Sequence, residues 1–147
     1  MHGIVLLLHL LGATVWTGGH LVLALSILPK ALRENSVSRI QDFEQVYEKI
    51  GIPALIIQVL SGLWLAYRLV PDLSFWVQLD NSVVRLIWFK LLLLLITLLL
   101  AADARIRVIP TLSSKNLRQL AWHIIPVTLI SVLFVVVGVS FRTGWGF

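Results

Sequence analysis

Residues 83–102 read VVRLIWFKLLLLLITLLLAA, a stretch whose only charges are Arg85 and Lys90 and whose last dozen positions carry none. A helix rises about 1.5 Å per residue, so about 20 apolar residues match the hydrocarbon core of a bilayer. This segment therefore reads as a membrane span, and it decides the fold class. Three further stretches match it: residues 3–28, closed by Pro29-Lys30, residues 50–70, closed by Pro71-Asp72, and residues 120–141. Lipid supplies no partner for a bare backbone N–H or C=O, so each span is expected to be helical. No segment shows the alternation of a membrane β-barrel. The predicted fold is an all-α, integral membrane four-helix bundle, a single domain over residues 1–147.

Composition agrees. Of 147 residues, 59% are hydrophobic and 13% charged, with a mean hydropathy of +0.94. A soluble domain carries about 25% charged residues. The chain has no cysteine, which excludes disulfides, thiolate zinc sites and iron–sulfur clusters. Its one methionine is Met1, so no thioether path for Cu(I) runs through the membrane. Any metal must rely on nitrogen. The first segment reads as a span and not as a signal peptide, because it lacks a basic start, is too long and carries polar groups in its middle.

The net charge of +5 belongs to topology, with the lipid bilayer as partner and no role for nucleic acid. Loop one holds Lys30, Arg33, Arg39 and Lys49, and loop three holds Arg105, Arg107, Lys115 and Arg118. Loop two has only Arg68 and Arg85 at its edges, with Asp72 and Asp80 between. By the positive-inside rule, loops one and three face the cytoplasm and both termini face outward. Tyr67, Trp76 and Trp145 then sit at the outer interface. After Ser36, the residues Ile40, Phe43, Val46, Tyr47 and Ile50 recur at helical spacing opposite Asp42, Glu44, Glu48 and Lys49. They predict a short amphipathic helix at the cytoplasmic surface between spans one and two, separate from or continuous with the second span.

Ionisable groups inside a span are costly, so each is a candidate for function. These are His9 and His20 in span one, Lys90 in span three and His123 in span four, with Gln58 in span two as a polar companion. The step from His9 to His20 turns a helix about 20° past three full turns, and His2 falls on the same stripe. Gly12, Trp16 and Gly19 lie on or near it. Glycines there admit either a neighbouring helix or a flat ligand to the backbone. His9 and Lys90 both lie roughly 8–10 Å below the outer boundary, while His20 and His123 share the inner half.

The expected sites are thus an outer one at His9 and Lys90 and an inner one pairing His20 with His123. Their nitrogens suit haem b or copper. Metal ligation falls to His9, His20 and His123. Lys90 is a partner for a carboxylate such as a haem propionate, a proton carrier or a snorkelling interfacial cation. His2 with the terminal amine forms a minor outward nitrogen cluster. Pro126 is expected to kink span four, and Asp103 to form a solvated ion pair among Arg105 and Arg107. No phosphate loop, nucleophile elbow, His-Glu-x-x-His motif or intramembrane carboxylate pair is present.

His9, followed by Trp16-Thr17-Gly18-Gly19, together with Ser61-Gly62-Leu63-Trp64 and Arg85-x4-Lys90, resembles the CopD family of bacterial inner-membrane copper-resistance proteins. That resemblance implies a multi-pass inner-membrane protein handling copper. The same histidine, Gly-Leu-Trp and lysine are similar to the four-span HemJ-type haem-binding protoporphyrinogen oxidases. That family's second histidine late in span three is replaced here by Leu100-Ala101-Ala102. Three functions stay open: copper handling, haem-based membrane redox chemistry, and a small accessory subunit without its own cofactor. A homodimer or a larger membrane complex is expected, because four helices enclose little interior.

Overall fold

The computed structural model describes residues 1–145 of the chain, so the last two positions of the predicted domain lie outside the described residues. Four helices dominate: α1 (His2–Glu34), α2 (Val37–Leu69), α3 (Ser82–Thr111) and α4 (Leu117–Thr143). Each is long and apolar enough to cross a membrane. Among the described residues there is no strand. The chain is an all-α integral membrane four-helix bundle.

Every helix is longer than its predicted span. The amphipathic stretch is the beginning of α2, continuous with the second span. Its buried stripe is narrower than the periodicity suggests. Ile40 is fully buried and Phe43 and Tyr47 are half-buried, whereas Val46 and Ile50 are exposed. The stripe instead continues through Gly51, Ala54, Gln58 and Ser61, all on the side facing α1. One face thus runs unbroken from the amphipathic segment into the span.

Two helices contain a wide π-helical turn, at Leu23–Ile27 in α1 and at Ala104–Val108 in α3. In both, the next residue's N–H reaches back five positions: Leu28 to the Leu23 carbonyl, and Ile109 to the Ala104 carbonyl. A proline follows at once, Pro29 and Pro110 respectively. A proline ring collides with the carbonyl four residues before it and has no N–H to donate. Widening the preceding turn relieves that clash without ending the helix. Pro126 sits within α4, and the helix continues through it.

The closely packed helix pairs are α1 with α2, α1 with α4, and α3 with α4. On the α1–α2 face, His9 meets Ser61, Gly12 meets Gln58, and Gly19 and Gly51 both meet Tyr47. Steps forward on α1 match equal steps back on α2, the register of an antiparallel hairpin closed by a two-residue turn at Asn35 and Ser36. Asn35 ends α1 in the left-handed region, with φ of 51°, a conformation asparagine tolerates.

The largest buried cluster lies at the end of the bundle that carries loops one and three. It joins Leu23, Leu28 and Ala31 to Ile40, Val108, Leu117, Leu120 and Ile124. At the other end Leu86, Leu93, Ile130 and Val137 tie α3 to α4, and Val70 packs with Val84 and Ile87 where α2 gives way to α3. Apolar burial does not distinguish a protein interior from lipid, so polar contacts help specify the helix pairs. Thr17 Oγ1 donates to the Ser131 carbonyl and Thr128 Oγ1 to the His20 carbonyl, both at 3.2 Å, joining α1 to α4. Such bonds contribute about 0.6 kcal/mol each in membrane bundles.

Loop two is tied to backbone carbonyls. The indole N–H of Trp76 donates to Val70, that of Trp88 to Trp76, and Arg85 donates to Leu79 and Asp80. The Asp72 carboxylate accepts the Ser74 N–H, which holds its pKa below the usual range.

Candidate functional site

His9 is built into the α1–α2 seam. Its Nδ1 lies 3.0 Å from the Gln58 carbonyl and 3.1 Å from Ser61 Oγ. A carbonyl accepts only, so Nδ1 carries the hydrogen. The Ser61 hydroxyl spends its own hydrogen on the Ile57 carbonyl and can accept from His9. Nε2 is then left with its lone pair. This is the arrangement that orients a metal-ligating histidine: one nitrogen anchored to the backbone, the other free to bind. Gly62 makes room for the ring, since a Cβ there would stand 3.0 Å from His9 Cε1.

Lys90 lies within electrostatic reach of His9. Its ammonium is turned toward the loop-two end of the bundle, where Phe141 packs beside Val84 and Ile87. It sits 5.4 Å from the Phe141 ring centroid and 3.5 Å from where a Cβ on Gly138 would be, turned against α4. Among the described residues no carboxylate pairs with it. Gln58 contributes a further oddity: its side-chain Oε1 is buried without a hydrogen-bond partner, next to the seam at Gly12. An unmet buried acceptor costs about 1–3 kcal/mol.

The glycines of the α1 stripe receive the neighbouring helix. A Cβ on Gly12 would come within 2.9 Å of the Ala54 carbonyl oxygen, and one on Gly19 within 2.1 Å of Tyr47 Cε2. Gly51, on α2, flanks the same tyrosine ring, where a Cβ would be 2.8 Å from Cε1. Tyr47 is therefore seated between two glycines, its hydroxyl donating to the Val15 and Trp16 carbonyls. Trp16 is buried and packs its ring 4.4 Å from His20, which in turn meets Tyr47 edge-on at 5.8 Å. Sequence reading placed Tyr47 only on an amphipathic face. The signal that could have found its seat was the pair of glycines, Gly19 and Gly51.

The structure gives His20 and His123 separate hydrogen-bond partners. His20 Nδ1 donates to the Trp16 carbonyl at 2.9 Å, within its own helix, and keeps Nε2 as a lone pair. His123 is engaged at both nitrogens. Nδ1 lies 3.0 Å from the Gln119 carbonyl and Nε2 lies 2.8 Å from Asp103 Oδ2. Both ring nitrogens thus face protein oxygens, and neither is left unengaged for a metal. Asp103 also meets Arg107 at 3.3 Å. The solvated ion pair expected of Asp103 is thus only half its role, because its other oxygen ties α3 to α4 through His123. His2 meets the Trp64 ring at a tilt of 37°, with centroids 6.1 Å apart.

Among the described residues, no group of three histidine, cysteine or carboxylate side chains is placed to hold a metal ion. What the geometry offers is single, oriented imidazoles. His9 and His20 each present one anchored ring with one free nitrogen.

The family model for copper resistance protein D matches residues 41–141. The match contains Ser61 and Gly62, which seat His9, together with Lys90, Asp103 and His123, whereas His9 and His20 themselves precede it. No curated protein and no solved structure matches the chain. The match spans most of the sequence and three of the four membrane helices, so the chain belongs to the copper resistance protein D family, as one of its multi-pass membrane proteins.

Proposed function

We propose that this chain handles copper within the bilayer, with His9 as the principal ligand. The observation that carries this reading is the anchoring of His9 Nδ1 by the Gln58 carbonyl and Ser61, which leaves Nε2 to bind. Each of His9 and His20 supplies one nitrogen, and without cysteine or internal methionine this chain adds no soft donor. A second ligand then comes from a second copy of the chain or from the molecule that delivers the ion. Incomplete coordination of this kind suits handover better than storage. The eight lysines and arginines of loops one and three support an inner-membrane orientation with both termini outside.

A b-type haem is the second reading, favoured by the unpaired ammonium of Lys90, which suits a propionate. Haem bridging His20 and His123 does not fit, since His123 has no free nitrogen. That reading therefore stands only at His9.

Purified, detergent-solubilised protein tests both through metal analysis and an absorption spectrum. Copper bound near stoichiometry and lost in His9→Ala supports the first reading. A Soret band with a reducible α-band, lost in the same variant, supports the second. If neither copper nor haem binds after reconstitution, both readings fall.

A further inference from the structure

Away from the histidines, a cavity of about 460 Å³ opens where the end of α1 meets the start of α4. It is lined by Leu32, Asn35, Ser114, Lys115, Leu117 and Arg118. Its size falls within the roughly 300–1,000 Å³ typical of small-molecule sites. Two features of its chemistry stand out. Lys115 and Arg118, like Lys30, Arg33 and Lys49 at the same end of the molecule, have no acidic partner among the described residues, whereas Arg39, Arg105 and Arg107 are paired with Glu34, Glu48 and Asp103. No carboxylate lines the cavity.

The backbone adds to this polarity. Asn116 stands at the position that normally caps α4, but its side chain is turned into loop three. Its Oδ1 accepts the Ser113 N–H at 2.7 Å, and its Nδ2 donates to the Thr111 carbonyl at 2.9 Å. No side-chain cap closes the helix, so its first N–H groups have no capping side chain. They add donor groups and the positive end of the helix dipole to the two cations.

We propose that this cavity binds the phosphate of an anionic phospholipid headgroup. Place favours lipid as the source. The cavity lies at the ends of α1 and α4, two helices long and apolar enough to cross a membrane, and Leu32 and Leu117 give it an apolar side against which a glycerol backbone packs. Lys115 and Arg118 are exposed and can close over the phosphate as a cationic pair. The site is independent of the histidine sites and does not rest on the copper reading.

Thermal unfolding and native mass spectrometry in dodecylmaltoside test it, with phosphatidylglycerol, phosphatidylcholine or inorganic phosphate added. Phosphatidylglycerol is expected to be retained and to raise the unfolding temperature, while phosphatidylcholine does neither. Lys115→Gln with Arg118→Gln should weaken phosphatidylglycerol binding about tenfold or more, as loss of two juxtamembrane cations implies. Lys115→Arg with Arg118→Lys keeps the charge and should retain binding, which separates charge loss from misfolding. Lys49→Gln with Arg142→Gln, which removes two cations outside the cavity, should also retain it. Equal binding of phosphatidylcholine, or undiminished phosphatidylglycerol binding in the Lys115/Arg118 glutamine variant, overturns the proposal. Stabilisation by inorganic phosphate to the same extent as by phosphatidylglycerol overturns the lipid assignment in favour of a soluble phosphate.

Discussion

His123 Nε2 and Asp103 Oδ2 meet at 2.8 Å across the α3–α4 interface, and that contact turns a sequence candidate for metal ligation into a helix tie. The imidazole is largely buried, with its side chain 14% exposed, while the carboxylate is 39% exposed and shared with Arg107. A charge-assisted hydrogen bond contributes about 1.5–3 kcal/mol, and partial solvent screening lowers that figure here. His123→Ala and Asp103→Asn should each lower the unfolding temperature in detergent. A double-mutant cycle should return a coupling of about 1 kcal/mol. Copper or haem content should not change in His123→Ala. A stable His123→Ala protein that has lost its metal would return this residue to the ligand set.

Tyr47 gives a prediction about packing. Its ring fills the space left by Gly19 on one helix and Gly51 on the other, and its hydroxyl is held by two carbonyls of α1. Gly19→Ala would drive a methyl into the ring, so the helices must separate or the tyrosine must leave its seat. Overpacking of this kind costs about 1–3 kcal/mol. In a Tyr47→Ala background Gly19→Ala should cost less than it does in the parent chain, because the collision is removed. Unfolding by denaturant measures both, and equal stability of Gly19→Ala and the parent chain would mean that Tyr47 is not seated there.

The four spans were legible because twenty apolar residues in a row admit few other readings. The His9–His20 stripe followed from helical angles, and both residues do carry free nitrogens on anchored rings. The order of the helices was not legible. In lipid the buried and exposed faces are equally apolar, so periodicity does not say which face meets which neighbour. For that reason His123 could be assigned to the inner half but not to Asp103, twenty residues away on another helix. The glycine stripe allowed a helix or a flat ligand, and only the register of α2 shows that Ala54, Gln58 and Tyr47 occupy it.

The support of His9 predicts a graded series. Removing the imidazole in His9→Ala should abolish metal or haem binding at the outer site. Ser61→Ala leaves the Gln58 carbonyl as anchor, so binding should weaken and not vanish; loss of an outer-shell partner typically costs 10–100-fold in metal affinity. Gly62→Ala brings a methyl to 3.0 Å from His9 Cε1 and should shift the ring. Titration of each variant with copper or haem reads the series. Binding in Ser61→Ala equal to that of the parent chain would show that the hydroxyl does not orient His9.

The charge on the loops predicts orientation, and the absence of cysteine makes that prediction easy to read. Single cysteines at Val77, 79% exposed in loop two, and at the exposed Ser114 in loop three report opposite ends of the bundle. Loop three and loop one together carry eight lysines and arginines, and loop two carries two at its edges. Translocating the richer side would oppose the positive-inside bias. In intact cells a membrane-impermeant maleimide should therefore label Val77→Cys and spare Ser114→Cys until the membrane is permeabilised. His9 and Lys90 would then lie in the outer half of the bilayer, nearer the side from which extracytoplasmic copper arrives. The reverse labelling pattern would place the His9 site in the cytoplasmic half and reverse the direction of any handover through it.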